Sequence, residues 1–319
     1  MIPVNPMDAR EAEQRYHQLV AEGQYALALQ LATEQFGLFS HPAQKVVYFW
    51  RMDMACRLEE ASLALDVLRE AVEAGHWYAK LDENHNFQAL HDSPEFQALV
   101  KTCAQRRLDE IAQAPAVMQV LQPQQRSVSY PLLFALHGNS SNVEAFAPHW
   151  QQATAHGWMV ALPQSPQAQG AGVYSWNDWD WAIPTLVKRF GEVCEEYPID
   201  RTRVVLAGFS MGAGLALWLA LERTIAVHGV IAVAPFLADV DALRPVLSDE
   251  QNRDLRFYLV ASHQDEYCYR VAGRLAALLA ENRQEHRLDL YGDGGHAFPP
   301  SFELAVPSAL EYVLHGEAA

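Results

Sequence analysis

The chain has 319 residues, half of them apolar, and a formal net charge of −16. That length is comfortable for two domains, and the apolar half supplies sizeable cores. A surface this acidic repels nucleic acid and anionic membranes, so neither is expected as a partner.

Residues 1–8 lack the basic start and apolar centre of a secretory signal. No window approaches the eighteen or so apolar residues of a membrane span. Cys56, Cys103, Cys194 and Cys268 are scattered without C-x-x-C or metal-ligand spacing. Free thiols in a reducing cytoplasm are therefore expected, with no metal and no organic cofactor.

Residues 1–113 carry almost no strand signal and are expected to form an α-helical domain. Helical spacing runs over Asp8–Glu22, ended by Gly23, and over Gln24–Phe36, ended by Gly37. His41-Pro42 opens a third helix through Arg57, and Ala61–Ala74 makes a fourth, ended by Gly75. Asn86–Arg107 holds one or two more, with Ser93-Pro94-Glu95 as a cap. The helix pairs recur: Ala21–Ala28 aligns with Cys56–Ala64, small and large apolar residues alternating after a polar turn. This resembles a short tetratricopeptide-like array, though few of the repeat's signature positions are occupied; an irregular helical cap is the alternative. His17, His41, His76, His85 and His91 lack metal spacing and read as surface or helix-end histidines. Val46–Trp50 reads as interhelical core.

From residue 114 to 319 the pattern changes. Ala116–Leu121 alternates like a strand, and Gln122–Ser129 reads as a polar hairpin-like turn. Continuous apolar runs follow at Pro131–Leu136, Trp158–Leu162, Arg203–Ala207, Val230–Ala234 and Phe257–Ala261, with a more polar run at His286–Tyr291. Such runs mark strands covered on both faces. Helical patterns lie between them at Asn142–His156, Asp180–Glu196, Met211–Arg223, Tyr267–Asn282 and Ser301–Leu314. The alternation predicts an α/β fold with a doubly wound, mostly parallel sheet.

Gly208-Phe209-Ser210-Met211-Gly212 is G-x-S-x-G between a buried strand and a helix, the setting of a nucleophile elbow. A side chain presented at a strained strand-to-helix turn leaves little room two residues before and after, so glycine is wanted at both places. The following helix points its free N–H groups back toward the serine. A serine hydroxyl also needs an oriented base, itself held by a carboxylate. In an open α/β sheet these come from loops at the carboxyl ends of strands.

Asp265, in the loop after the fifth apolar run, is the candidate acid, with Asp239, Asp241 and Glu266 as rivals. His296, in the glycine-rich loop Gly292–Pro299, is the candidate base, because His286 and His315 are poorly placed. The order Ser210, Asp265, His296 is that of α/β-hydrolases. The loop His137–Asn142, after the first apolar run, suits the second oxyanion donor. The expected donors are the backbone N–H groups of Asn139 and Met211, and His137 is expected to brace the turn.

Residues 116–319 resemble the phospholipase/carboxylesterase branch of the α/β-hydrolases, small serine esterases and thioesterases. The resemblance rests on Leu136-His137-Gly138, on Ile199–Gly212, on Asp265 and on Gly295-His296. It extends to the dienelactone-hydrolase and prolyl-peptidase-like groups, but dienelactone hydrolases use cysteine where Ser210 stands. Ser262 replaces the usual glycine before the acid, and Asn139-Ser140-Ser141 replaces a glycine-containing loop, so acyl preference does not carry over. The resemblance implies two-step acyl transfer on a small-molecule ester or thioester.

On the substrate side, Gly170–Trp181 offers Trp176 and Trp179 as pocket walls, and Phe236 offers another. The alternative is that the tryptophans pack the next helix while Asp178 and Asp180 cap it. A serine peptidase on short peptides is the competing enzyme reading. The competing non-enzyme reading is a scaffold whose N-terminal helices recruit a protein partner.

Overall fold

A computed structural model describes residues 7–113, 117–170, 173–292 and 295–316. Contacts divide the chain into two compact units, Met1–Ala114 and Pro115–Ala319. The junction at 114–116 lies outside the described residues.

In the first unit the helices are α1 (Ala9–Ala21), α2 (Tyr25–Glu34), α3 (His41–Arg57), α4 (Ala61–Glu73) and α5 (Pro94–Gln113). Asp8 and Glu11 form a capping box at the start of α1. The Ser93 hydroxyl accepts from the Phe96 N–H and caps α5. Consecutive helices pack on one another. The α1–α2 and α3–α4 turns share one geometry: Gly23 and Glu59 both have positive φ, 72° and 61°. In both turns the amides at the helix end bond back three and five residues, Gly23 to Val20 and Gln24 to Leu19, Glu59 to Cys56 and Glu60 to Ala55. The aligned segments Ala21–Ala28 and Cys56–Ala64 thus share a backbone path as well as an apolar pattern.

Tyr16 stacks on Trp50 with ring centroids 4.2 Å apart, closing a core with Leu19, Ala28, Val47 and Met54. His76 departs from the surface reading, since only 6% of it is exposed. Burial, then the positive neighbours His41, Lys45 and Arg106, push its imidazole down to about 4.

The second unit is a seven-stranded sheet in the order β1-β3-β2-β6-β7-β8-β9. Its strands are β1 (Met118–Leu121), β2 (Tyr130–Leu136), β3 (Met159–Pro163), β6 (Ile199–Phe209), β7 (Gly229–Val233), β8 (Arg256–Ser262) and β9 (Glu285–Tyr291). A separate hairpin is formed by β4 (Gln167–Gly170) and β5 (Val173–Ser175). All pairs in the main sheet are parallel except β1 with β3. The doubly wound, mostly parallel sheet read from the apolar runs is present.

Residues alternate between the two faces: Leu132, Phe134 and Leu136 join one core with α8 (Trp179–Glu196), α9 (Met211–Leu221) and α11 (Glu266–Glu281). Leu133 and Ala135 join the other with α12 (Phe302–His315). Each face is thus covered by helices, which is why the strands read as unbroken apolar runs.

Three local expectations differ from the structure. β1 pairs with β3, not β2, so residues 122–129 cross over rather than close a hairpin. The expected helix Asn142–His156 is broken into α6 (Val143–Phe146), a 3-10 turn at Ala147–His149 and α7 (Gln152–Ala155), because Pro148 supplies no N–H to a continuous ladder. The β4–β5 hairpin runs into Gly170–Trp181, a stretch in which no strand is expected. Between β2 and β6 the chain direction across the sheet reverses, so the carboxyl ends of these strands open a crevice where ligands characteristically sit.

Candidate active site

β6 ends at Phe209, and Ser210 is the N-cap of α9 with φ 54° and ψ −120°. A serine adopts this region only when its surroundings hold it there. The Ser210 N–H donates to the Val233 carbonyl at 2.9 Å, and its own carbonyl accepts from Ala213, Gly214 and Phe236 at 3.0, 3.1 and 3.0 Å. The flanking glycines answer to steric contacts. A Cβ on Gly208 would stand 2.5 Å from the Gly212 carbonyl carbon. A Cβ on Gly212 would stand 2.3 Å from the His137 carbonyl oxygen and 2.4 Å from that of Leu136.

The loops after β8 and β9 meet this serine. His296 Nε2 lies 2.8 Å from Ser210 Oγ, and His296 Nδ1 lies 2.5 Å from Asp265 Oδ2. With the proton on Nδ1 facing the carboxylate, Nε2 is free to accept from the hydroxyl, the arrangement acyl transfer needs. Asp265 is the N-cap of α11, and its Oδ1 accepts from the Cys268 N–H at 3.2 Å. The preceding turn closes through Asp265 N–H to the Ser262 carbonyl at 3.1 Å, while Ser262 Oγ accepts from Gln264 N–H at 3.3 Å.

The rival acids are engaged elsewhere. Asp241 pairs with Arg274 and Arg244, which hold its carboxyl below the usual range. Asp239 accepts from the Asp241 N–H, and the exposed Glu266 pairs with Arg270 at 3.3 Å. Residues 293–294 of the glycine-rich loop lie outside the described residues. Gly295 and His296 are described.

The β2 loop is held from beneath by a buried polar network. His137 is fully buried, and burial pushes its imidazole down to about 4, against the opposing bond to Gly138. Its Nδ1–H donates to the Gly138 carbonyl at 2.7 Å, while Nε2 accepts from the Ser165 N–H at 3.1 Å and the Gln164 amide at 2.9 Å. The Trp176 indole N–H donates to the His137 carbonyl at 2.9 Å. Gly138 packs on the Phe209 ring, and Gly212 lies against the His137 carbonyl, so the loop carrying Asn139 runs beside the first turn of α9. The β4–β5 hairpin fastens the loop's far end: Ser141 and Tyr174 exchange backbone bonds at 3.3 and 2.9 Å, and Ser140 Oγ donates to Gln169 Oε1 at 2.8 Å.

The three aromatic candidates are not brought together. Trp176 is fully buried and bonded to the loop, so it cannot wall an open pocket. Trp179 packs into the α8 side of the core beside Trp218, ring centroids 5.8 Å apart. Asp178 caps α8, accepting from Trp181 N–H at 3.1 Å. Phe236 is exposed and stacks on Tyr267. Tyr267 carried no sequence signal beyond following Asp265 by two positions on a predicted helix. Behind His296, Phe209 stacks on Phe298, and Phe298 stacks on His149.

Among the described residues, Asp265, Cys268 and His296 offer donor atoms close enough to share an ion. The Cys268 thiol is pushed up by burial and then by Asp265, so it stays protonated, a poor ligand form. The other two donors already bond each other.

Residues 183–313 match the family described as Phospholipase/Carboxylesterase, and residues 15–111 match the A/B hydrolase-like N-terminal domain. The bifunctional acetylxylan esterase/xylanase XynS20E of Neocallimastix patriciarum is 31% identical over 126 residues, 37% of this chain. The matched segment spans only 17% of that relative's length. A crystal structure of an uncharacterized protein from Bacillus cereus ATCC 10987 aligns over 96% of this chain and 99% of its own, with TM-score 0.55 and 24% identity. The esterase PE8 structure aligns over 63% of this chain and 100% of its own, with TM-score 0.52 and 17% identity. These likenesses speak to the fold; the two family matches, covering parts of both units, carry the assignment. The chain has an α/β-hydrolase fold, similar to the phospholipase/carboxylesterase family over residues 183–313 and to the A/B hydrolase-like N-terminal domain over residues 15–111.

Proposed function

We propose that this protein cleaves carboxylic esters or thioesters through an acyl-enzyme on Ser210. His296 takes the hydroxyl proton as Ser210 attacks the carbonyl carbon, then returns it to the leaving alcohol or thiol. Asp265 holds the imidazole tautomer and stabilises its positive form. The Asn139 and Met211 amides meet the oxyanion, and water activated by His296 releases the acid. The observation that carries this reading is the relay of 2.8 and 2.5 Å from Ser210 through His296 to Asp265, set on a serine with φ 54°.

The Asn139 and Met211 roles rest on position: one follows β2 and the other opens α9, and the close contact at Gly212 brings the two segments side by side. Four free cysteines support a reducing, cytoplasmic setting. No helix among the described residues is long and apolar enough to cross a membrane. The N-terminal helices are proposed to receive a protein partner, on the strength of their repeated turn geometry.

Hydrolysis of short-chain p-nitrophenyl esters by the full chain and its Ser210→Ala variant tests the mechanism. Turnover should fall at least about a thousandfold in the variant with the thermal midpoint preserved. Turnover retained in Ser210→Ala rules the assignment out.

A further inference from the structure

Phe236 and Tyr267 are large apolar side chains that the fold leaves in solvent, 36% and 41% exposed. One comes from the loop after β7 and the other from the first turn of α11, yet their rings stack with centroids 5.2 Å apart and planes 27° from parallel. Both rings are tied to the catalytic backbone. The Phe236 N–H donates to the Ser210 carbonyl at 3.0 Å. Tyr267 is the second residue of α11, whose N-cap is Asp265, and its hydroxyl donates to the Leu237 carbonyl at 2.8 Å. The pair therefore links the loop beside the nucleophile to the helix that begins at the acid.

A hydrophobic side chain exposed to water gains nothing for folding, and a tyrosine with a satisfied hydroxyl presents only its ring. Two rings fixed against each other form a rigid surface that stays partly open to solvent.

Resting on the acyl-transfer reading, we propose that Phe236 and Tyr267 are specificity residues. They form a stacking platform for an uncharged six-membered ring in the substrate, on the acyl or the alcohol side of the scissile bond. A ring is preferred over a linear chain because the platform is open. A flexible chain laid on it would keep one side in water and lose rotamer freedom, whereas a flat rigid ring covers its face at little entropic cost. An anionic ring is disfavoured by the net charge of −16. An aryl group offers such a face through its π surface and a pyranose through its C–H groups.

The test compares kcat/KM for ring-bearing and linear esters in the wild type, Phe236→Ala and Tyr267→Ala. The aryl arm uses phenyl acetate and vinyl benzoate against ethyl acetate and vinyl butyrate. The saccharide arm uses an acetylated methyl pyranoside against an acetylated linear polyol. Each substitution should lower the ring-to-linear ratio about fivefold to tenfold in at least one arm, mainly through KM. The arm that responds identifies the source of the ring. A ratio that stays within twofold in both arms, however much both rates fall, overturns the platform.

A second measurement does not depend on turnover. Titrating phenyl acetate and the pyranoside ester into Ser210→Ala should shift the ring-proton resonances of Phe236 and Tyr267 before those of Phe298. Absence of such shifts overturns the platform. A wild type that hydrolyses none of the esters removes the acyl-transfer reading instead, and the resonance shifts still decide the platform.

Discussion

At Ser210 the backbone is held at φ 54° by four hydrogen bonds to its own N–H and carbonyl, so the position of the proposed nucleophile is fixed before any substrate arrives. The same logic applies one loop away at His137, a histidine that is structural because of what both its nitrogens already do. With Nδ1–H bonded to Gly138 and Nε2 accepting from Ser165 and Gln164, protonation would break two bonds in a buried site. Its imidazole is pushed down to about 4 from the ordinary 6.5, so the unfolded chain binds this proton first as pH falls. Its contribution is complete above about pH 6.5, declines as pH falls and is gone below about pH 4, a loss approaching about 3 kcal/mol. Long-range proton–nitrogen NMR should find the neutral Nδ1–H tautomer of His137 retained at pH 5. An imidazolium at pH 6 would contradict that account. The sequence exposed Ser210 and His296 clearly, since glycines and strand ends flag both. It did not expose Tyr267 or the inward turn of Trp176, because the side an aromatic faces is decided by partners distant in the chain.

Among elements, the junction of β6, α9 and the β2 loop is the most constrained. Gly212→Ala would drive a Cβ into two backbone carbonyls that no side-chain rotation can relieve. The expected cost is about 1–3 kcal/mol of stability. Ester turnover should also fall roughly tenfold or more, because the displaced segments carry the proposed oxyanion donors. Gly273, exposed on α11 with nothing within 4 Å of a new Cβ, should behave oppositely. Gly273→Ala is expected to stabilise by roughly 0.5–1 kcal/mol with turnover intact. Chemical denaturation and steady-state rates on both variants check the contrast, and equal destabilisation would refute it. The main strands were legible because helices cover both faces of the sheet and force unbroken apolar runs. The β4–β5 hairpin was hidden because its strands are only four and three residues long and stand apart from the main sheet. The β1–β3 pairing was hidden because adjacency in sequence suggests a hairpin, whereas the edge of the sheet offered β3 instead.

Over the whole molecule, the excess of 39 Asp and Glu over 23 Lys and Arg sets a net repulsion that folding concentrates. Raising salt from about 10 to 150 mM shortens the screening length to roughly 8 Å and should raise the thermal midpoint. A midpoint that falls with salt would mean that local ion pairs such as Arg244–Glu281 outweigh the overall repulsion. The division into two units is compatible with the two family matches, one in each. All the residues proposed for chemistry lie in the second unit. What the first unit receives was beyond the sequence, because a helical array advertises its stacking residues and not its ligand.

The central claim is that Ser210 is a nucleophile activated by His296. Reacting the intact protein with a fluorophosphonate and mapping the adduct by peptide mass spectrometry tests it most directly. A single phosphonyl adduct on Ser210, lost in His296→Ala, is the expected result. An unlabelled Ser210, or labelling that persists without His296, would contradict the account.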